Sequence, residues 1–149
     1  MATARSRSRC RRHAVSSDPI SLGLPHREPF IFVDEVVERT PGEAATCRKR
    51  FAATEAFFRG HFPGDPLVPG VILTEALAQT AGLAAGEAGR SFRLTAIKGM
   101  KFLAAVRPEE VITLAARKIG SVGGLWQIDV QARVADRTVA EGMIVLSEV

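Results

Sequence analysis

Cysteine is scarce in this 149-residue chain, tryptophan occurs once and tyrosine is absent. With only Cys10 and Cys47, and no CxxC or Cys/His cluster, neither a disulfide framework nor a structural zinc site is expected, which suits a reducing compartment such as the cytoplasm. The sequence holds no glycine-rich phosphate loop, no Gly-x-Ser-x-Gly turn and no HExxH helix. The first residues lack the apolar core of a secretory signal. The longest apolar run, Pro69 to Gly86, approaches membrane length, but it contains Glu75, and a mid-membrane acid costs roughly 2.5–3.5 kcal/mol. The run therefore reads as a buried helix of a soluble protein.

Charge of one sign is missing from the beginning of the chain. The first twelve residues contain no acid and five arginines, Arg5, Arg7, Arg9, Arg11 and Arg12. Without those five, the formal net charge of +4 falls to −1, so the basic character belongs to a tail and not to the domain. Residues 1–17 are Arg/Ser-rich with no apolar periodicity, and the expectation is a disordered basic tail ahead of one domain over 18–149. A solvated extension is the plain reading. The composition would also suit an organelle transit peptide or a basic arm for nucleic acid or a membrane surface. The domain itself gives no reason to expect either partner.

The rest of the chain has a legible rhythm. Ile31 to Val37 and Ala44 to Phe51 read as strands either side of a Pro41-Gly42 turn. Thr54 to Phe58 suggests one helical turn capped by Thr54. A helix from about Gly70 to Glu87 is apolar or small nearly all round, as in a helix surrounded by protein. β-like runs follow at Arg93 to Phe102, Val111 to Ile119, Leu125 to Val134 and Thr138 to Leu146, with Gly120 to Gly124 as a loop. In the third, Trp126, Ile128, Val130, Ala132 and Val134 alternate with polar residues, the mark of a half-buried antiparallel strand. Many strands and one oily helix imply an α+β fold, a curved antiparallel sheet wrapped round the helix.

The chemistry gathers at Gly60-His61-Phe62-Pro63-Gly64-Asp65-Pro66-Leu67-Val68-Pro69-Gly70, which runs straight into the helix. Three prolines stiffen the loop that presents His61. Pro69 is a helix start signal, and Gly70 lets a ligand approach the first free N–H groups. Glu75 is the one acid of the oily helix, where burial favours a carboxyl's proton-donating form. A histidine, such a carboxyl and free N–H donors are the parts for proton transfer beside a carbonyl. Gln79, one turn after Glu75, either orients it or simply satisfies a buried polar group. His26 and Arg27, beside Pro25, read as structural residues of a turn.

At these residues the chain resembles the hot-dog 3-hydroxyacyl-[acyl-carrier-protein] dehydratases of the FabZ type. The resemblance spans about Leu24 to Leu146. It rests on Leu24-Pro25-His26-Arg27-x-Pro29-Phe30, Phe58-x-Gly60-His61-Phe62-Pro63-Gly64-x-Pro66, Pro69-Gly70-Val71 and Glu75-Ala76-Leu77-Ala78-Gln79, a gap-free signature. It implies dehydration of (3R)-3-hydroxyacyl-ACP to the trans-2-enoyl-ACP in fatty acid biosynthesis. Acyl carrier protein would be the partner, a tunnel would take the acyl chain on its phosphopantetheine arm, and neither metal nor diffusible cofactor would be needed. His61 would be the base and Glu75 the acid. The Gly70 N–H would serve the thioester oxygen, and the Leu67 carbonyl would hold the second ring nitrogen of His61. The resemblance also implies a homodimer in which His61 of one subunit meets Glu75 of the other, in some relatives a trimer of dimers. Glutamate rather than aspartate at position 75 points to dehydration without isomerisation. Glu28 and Val68 depart from the tyrosine and methionine usual there, and without tyrosine the chain cannot carry a tyrosine gate. A polyketide or aryl-polyene dehydratase would present the same pair. A hot-dog thioesterase or a non-catalytic acyl-binding protein is a further alternative, against which the intact His61-to-Glu75 spacing speaks.

Overall fold

The computed structural model describes residues 17–87 and 90–149; the expected tail, save its last residue, lies outside the described residues. Ser17 does not behave as tail, because its carbonyl accepts the N–H of Val36 at 2.8 Å.

Six strands form one antiparallel sheet: β1 (Glu35–Thr40), β2 (Ala44–Arg50), β3 (Phe92–Phe102), β4 (Val111–Val122), β5 (Leu125–Val134) and β6 (Arg137–Glu148). Their spatial order is β1-β2-β4-β5-β6-β3. The one α-helix, α1 (Gly70–Ala85), packs against all six. This is the hot-dog fold, with the sheet around the helix. Leu73, Leu77, Ala81 and Ala84 of α1 meet Ile112, Leu114, Ile128 and Ile144 of the sheet in one core. Trp126, Ile128, Val130 and Ala132 are buried, as their alternation requires. Within α1, Thr74 and Thr80 satisfy their hydroxyls on the carbonyls of Gly70 and Ala76, one turn back. No helix among the described residues is long and apolar enough to cross a membrane.

Several boundaries differ from the sequence reading, each for a physical reason. Strand β1 starts later than expected because Phe32 N–H and Phe30 C=O bond the side chain of Gln79 instead of a strand, and bonding to β2 begins only with Asp34 N–H on Arg48 C=O at 2.8 Å. The helical turn after β2 is a 3-10 turn, Ala56–Arg59, and Thr54 does not cap it; Glu55 holds the cap position without a side-chain bond. Ala53 N–H donates to Glu109 Oε1 there. The expected loop Gly120 to Gly124 shrinks to Gly123-Gly124, because β4 runs on to Val122. Both glycines have positive φ (55° and 80°), the geometry of a tight hairpin turn.

α1 stops at Ala85, two residues early. Arg39 donates to the carbonyls of Leu83 and Gly86, and Gly42 N–H bonds Ala84 C=O at 2.9 Å. Arg39 of β1 and the turn that follows it thus satisfy carbonyls at the end of the helix. The opposite end of α1, where Val71 is 78% exposed, is the open one. β3 is an edge strand, and its Leu94, Ile97 and Phe102 are exposed.

Candidate active site

The His61 loop is braced at both ends. Gly60 N–H and His61 N–H both bond Phe57 C=O, at 3.1 and 2.9 Å. Val68 N–H reaches Val106 C=O at 2.8 Å. Asp65, ion-paired to Arg107, closes a turn back to Phe62 C=O at 2.9 Å. Phe62 takes a left-handed φ of 61°, unusual for a bulky residue, so the backbone beside His61 is held against its own preference. Nδ1 of His61 lies 2.9 Å from Leu67 C=O. A carbonyl can only accept, so Nδ1 carries a proton, which in the neutral ring leaves Nε2 as the bare nitrogen.

His61 lines a cavity together with Leu67, Gly70 and Phe102. The N–H groups of Gly70 and Val71 begin α1 and have no helical carbonyl to reach, whereas Ile72 and Leu73 bond back to Pro69. A Cβ on Gly70 would stand 3.0 Å from the Phe102 ring. Glycine here admits that ring. Phe102 carries no motif that marks it in the sequence; its place follows from β3 ending beside the start of α1.

Glu75 faces elsewhere. Five residues along an α-helix is about 500° of rotation, so Glu75 points about 140° away from Gly70. It lines a separate cleft with His26, Gln79, Arg90 and Phe92. His61 and Glu75 share neither a cavity nor a contact within one chain. Nor is Glu75 buried outright, since its side chain keeps 21% of its exposure.

Gln79 bonds both Glu75 and the backbone. Its Nε2 donates to Glu75 Oε1 and to Phe30 C=O, each at 3.1 Å, while its Oε1 accepts from Phe32 N–H at 2.9 Å. Buried and fully engaged, it ties Glu75 to the segment leading into β1. Replacing Gln79 with leucine would orphan two backbone groups. At about 1–3 kcal/mol for each buried unsatisfied partner, the loss should total about 2–6 kcal/mol of stability. Urea unfolding measures it; a midpoint as high as wild type would mean that these bonds contribute nothing.

The sequence reading of His26 as a turn residue is incomplete. Its Nε2 lies 3.4 Å from Glu75 Oε1, and its ring stacks on Phe30. Arg27 does fit the structural reading, its guanidinium donating to Leu24 and His26 carbonyls at 2.9 and 2.8 Å. The conspicuous Leu24-Pro25-His26-Arg27 run was the one available signal for His26. Its meeting with Glu75 spans 49 positions and is set by the tertiary fold.

Among the described residues no cluster of His, Cys, Asp or Glu could hold a metal ion. Cys47 is buried, and burial pushes its thiol up to about 11, so it is no nucleophile near neutral pH.

Known proteins are similar to this chain in sequence and in fold. The family model of the FabA-like domain matches residues 24–143. A 3-hydroxyacyl-[acyl-carrier-protein] dehydratase FabZ of Ruminiclostridium cellulolyticum is 42% identical over 125 residues, 81% of this chain and 88% of that protein. The FabZ of Polynucleobacter asymbioticus is 40% identical, covering 86% of this chain and 93% of its own. Among solved structures, one from the ApeI:P dehydratase heterocomplex of Xenorhabdus doucetiae superposes with a TM-score of 0.71 at 13% identity, over 88% of this chain and 91% of that one. A hypothetical thioesterase of Streptococcus pneumoniae with coenzyme A reaches 0.63 at 13% identity, over 77% and 84%. Fold alone therefore spans proteins described as dehydratase and as thioesterase. The separating observation is the match in sequence, whose span over residues 24–143 includes the histidine loop and the acid-bearing helix, and by it the chain belongs to the FabA-like domain family.

Proposed function

We propose that this protein removes water from (3R)-3-hydroxyacyl thioesters on acyl carrier protein, giving trans-2-enoyl thioesters in fatty acid biosynthesis in the cytoplasm. The observation that carries the reading is the His61 ring, its Nδ1 proton committed to Leu67 C=O and its Nε2 bare, in a cavity shared with the free start of α1.

Nε2 of His61 takes a proton from C2. The electron pair left behind moves toward the thioester carbonyl, and the Gly70 N–H, helped by the helix dipole, stabilises the developing oxyanion. Glu75 gives its proton to the C3 hydroxyl as the C3–O bond breaks and the C2=C3 double bond forms. Water leaves, and the proton on His61 returns to Glu75 through solvent. Atoms balance without oxidant, metal or cofactor.

The acid and base come from two subunits of a homodimer. Support comes from β3, which touches both clefts: Phe102 at its end lines the His61 cavity, and Phe92 and Leu94 at its start line the Glu75 cleft. A two-fold pairing of β3 edges that keeps both helices on one side of a joined sheet is antiparallel. It would set the Phe102 end of one subunit against the Phe92 end of the other, and so His61 against the partner's acid. The apolar, exposed Leu94 and Ile97 suit such a pairing.

Purified protein given 3-hydroxyacyl thioesters of several lengths, on acyl carrier protein and on coenzyme A, tests the function. Enoyl absorbance should rise with no release of free thiol. Free thiol without enoyl product would overturn the dehydratase reading in favour of hydrolysis.

A further inference from the structure

Oε1 of Glu75 is approached by two nitrogens from different parts of the chain: Gln79 Nε2 at 3.1 Å and His26 Nε2 at 3.4 Å. The first is a donor by its chemistry. The second has two choices. Nδ1 of His26 is buried and has no hydrogen-bond partner among the described residues. If the ring proton sat on Nδ1, a donor would be buried without an acceptor, and the bare Nε2 would face an oxygen that already accepts from Gln79. An imidazolium would bury the same orphan donor with a charge besides. With the proton on Nε2, the N–H faces Oε1 across 3.4 Å, close enough to bond on a small approach, and only a lone pair is left unmatched.

We propose that His26 is a positioning residue for the reaction. As its Nε2–H tautomer, it joins Gln79 in making Oε1 of Glu75 the accepting oxygen, so that the acid's mobile proton resides on Oε2. The inference rests on the reading of Glu75 as the proton donor. A carboxyl whose two oxygens are left equivalent presents its proton in either direction; one with Oε1 doubly engaged presents it from Oε2 alone. The ring has the support such a task needs. It stacks on Phe30, with centroids 6.1 Å apart and planes 28° from parallel, and Arg27 braces the carbonyl of His26 itself. Phe30 C=O is in turn tied to Gln79, so the two donors to Oε1 belong to one bonded unit. The 3.4 Å separation is long for a hydrogen bond, as is common at catalytic groups before substrate binds. The other charged side chains lining the cleft are Arg90 and Arg93; Arg90 is engaged with Glu87 and Glu148.

Ring-nitrogen NMR of the full chain tests the tautomer without reference to activity. The chain has three histidines, so His26 and His61 are assignable by loss of their signals in His26→Gln and His61→Ala. At neutral pH His26 should carry its proton on Nε2 and His61 on Nδ1, opposite tautomers in one spectrum. A His26 protonated on Nδ1, or on both nitrogens, would overturn the inference. Kinetics tests the role. His26→Phe keeps the stacking ring and removes the donor, and misplacing an acid by about 1 Å can cost about 100-fold, so kcat should drop 10- to 100-fold with KM within about twofold. His26→Gln restores an N–H at similar reach and should return kcat to within about threefold. Equal kcat in His26→Phe and wild type, or no rescue by glutamine in a variant with wild-type Tm, sinks the positioning role. If instead Glu75→Gln proves fully active, the acid assignment itself has failed, whatever the tautomer of His26.

Discussion

His61→Ala should lower the rate of dehydration by about 10²–10⁴-fold, the range a positioned base supplies, while the protein stays folded. The structural cost of the change is small. The imidazole makes one hydrogen bond, Nδ1–H to Leu67 C=O, worth about 1 kcal/mol net. The loop around it is held independently, by Phe57 and Val106 carbonyls and the Asp65–Arg107 pair. Loss of activity without loss of Tm therefore isolates proton abstraction. Glu75→Gln should fall as far, because a carboxamide still accepts from Gln79 yet has no acidic proton to give. Enoyl absorbance, with circular dichroism and Tm as controls, decides both. A folded variant of either kind that kept more than about a tenth of wild-type activity would remove that residue from its role.

What the sequence made legible was whatever depends on local pattern. The strict alternation from Trp126 to Val134 gave β5 with its ends as observed, and the apolar run after Pro69 gave α1 to within two residues. What depends on a distant partner was not legible. Residues 31–34 look like strand, yet the backbone groups of Phe30 and Phe32 are claimed by Gln79 across nearly fifty positions. Thr54 looks like a cap, but Glu109 supplies the nearby bond. His26 looked like part of a turn until the fold set it beside Glu75. Leu67 was legible as a partner of His61 only through family resemblance; the structure gives the distance. The spacing of His61 and Glu75 suggested one constellation, whereas helical rotation sends Gly70 and Glu75 into different clefts of the same chain.

That separation makes the second large effect possible: two dead proteins should make a live one. His61→Ala and Glu75→Gln chains, each inactive as a homodimer, should regain activity when co-expressed. In a mixed dimer with shared sites, one site combines the intact His61 of the Glu75→Gln chain with the intact Glu75 of the His61→Ala chain. The other site carries both lesions. Random assortment makes about half the dimers mixed, each with one working site of two, so recovery should approach about a quarter of wild-type activity if sites act independently. From a background about 10²–10⁴-fold below wild type, that is a rise of roughly 25- to 2,500-fold, beyond any assay scatter. The physical basis would be the proposed antiparallel meeting of two β3 edges, which brings a Phe102 end to a Phe92 end; a chain acting by itself has the two groups in separate clefts. Different affinity tags on the two chains allow mixed dimers to be isolated by tandem purification, which should raise the recovery toward about half. Tag-verified mixed dimers as inactive as their parents would mean that both residues serve one chain's own site.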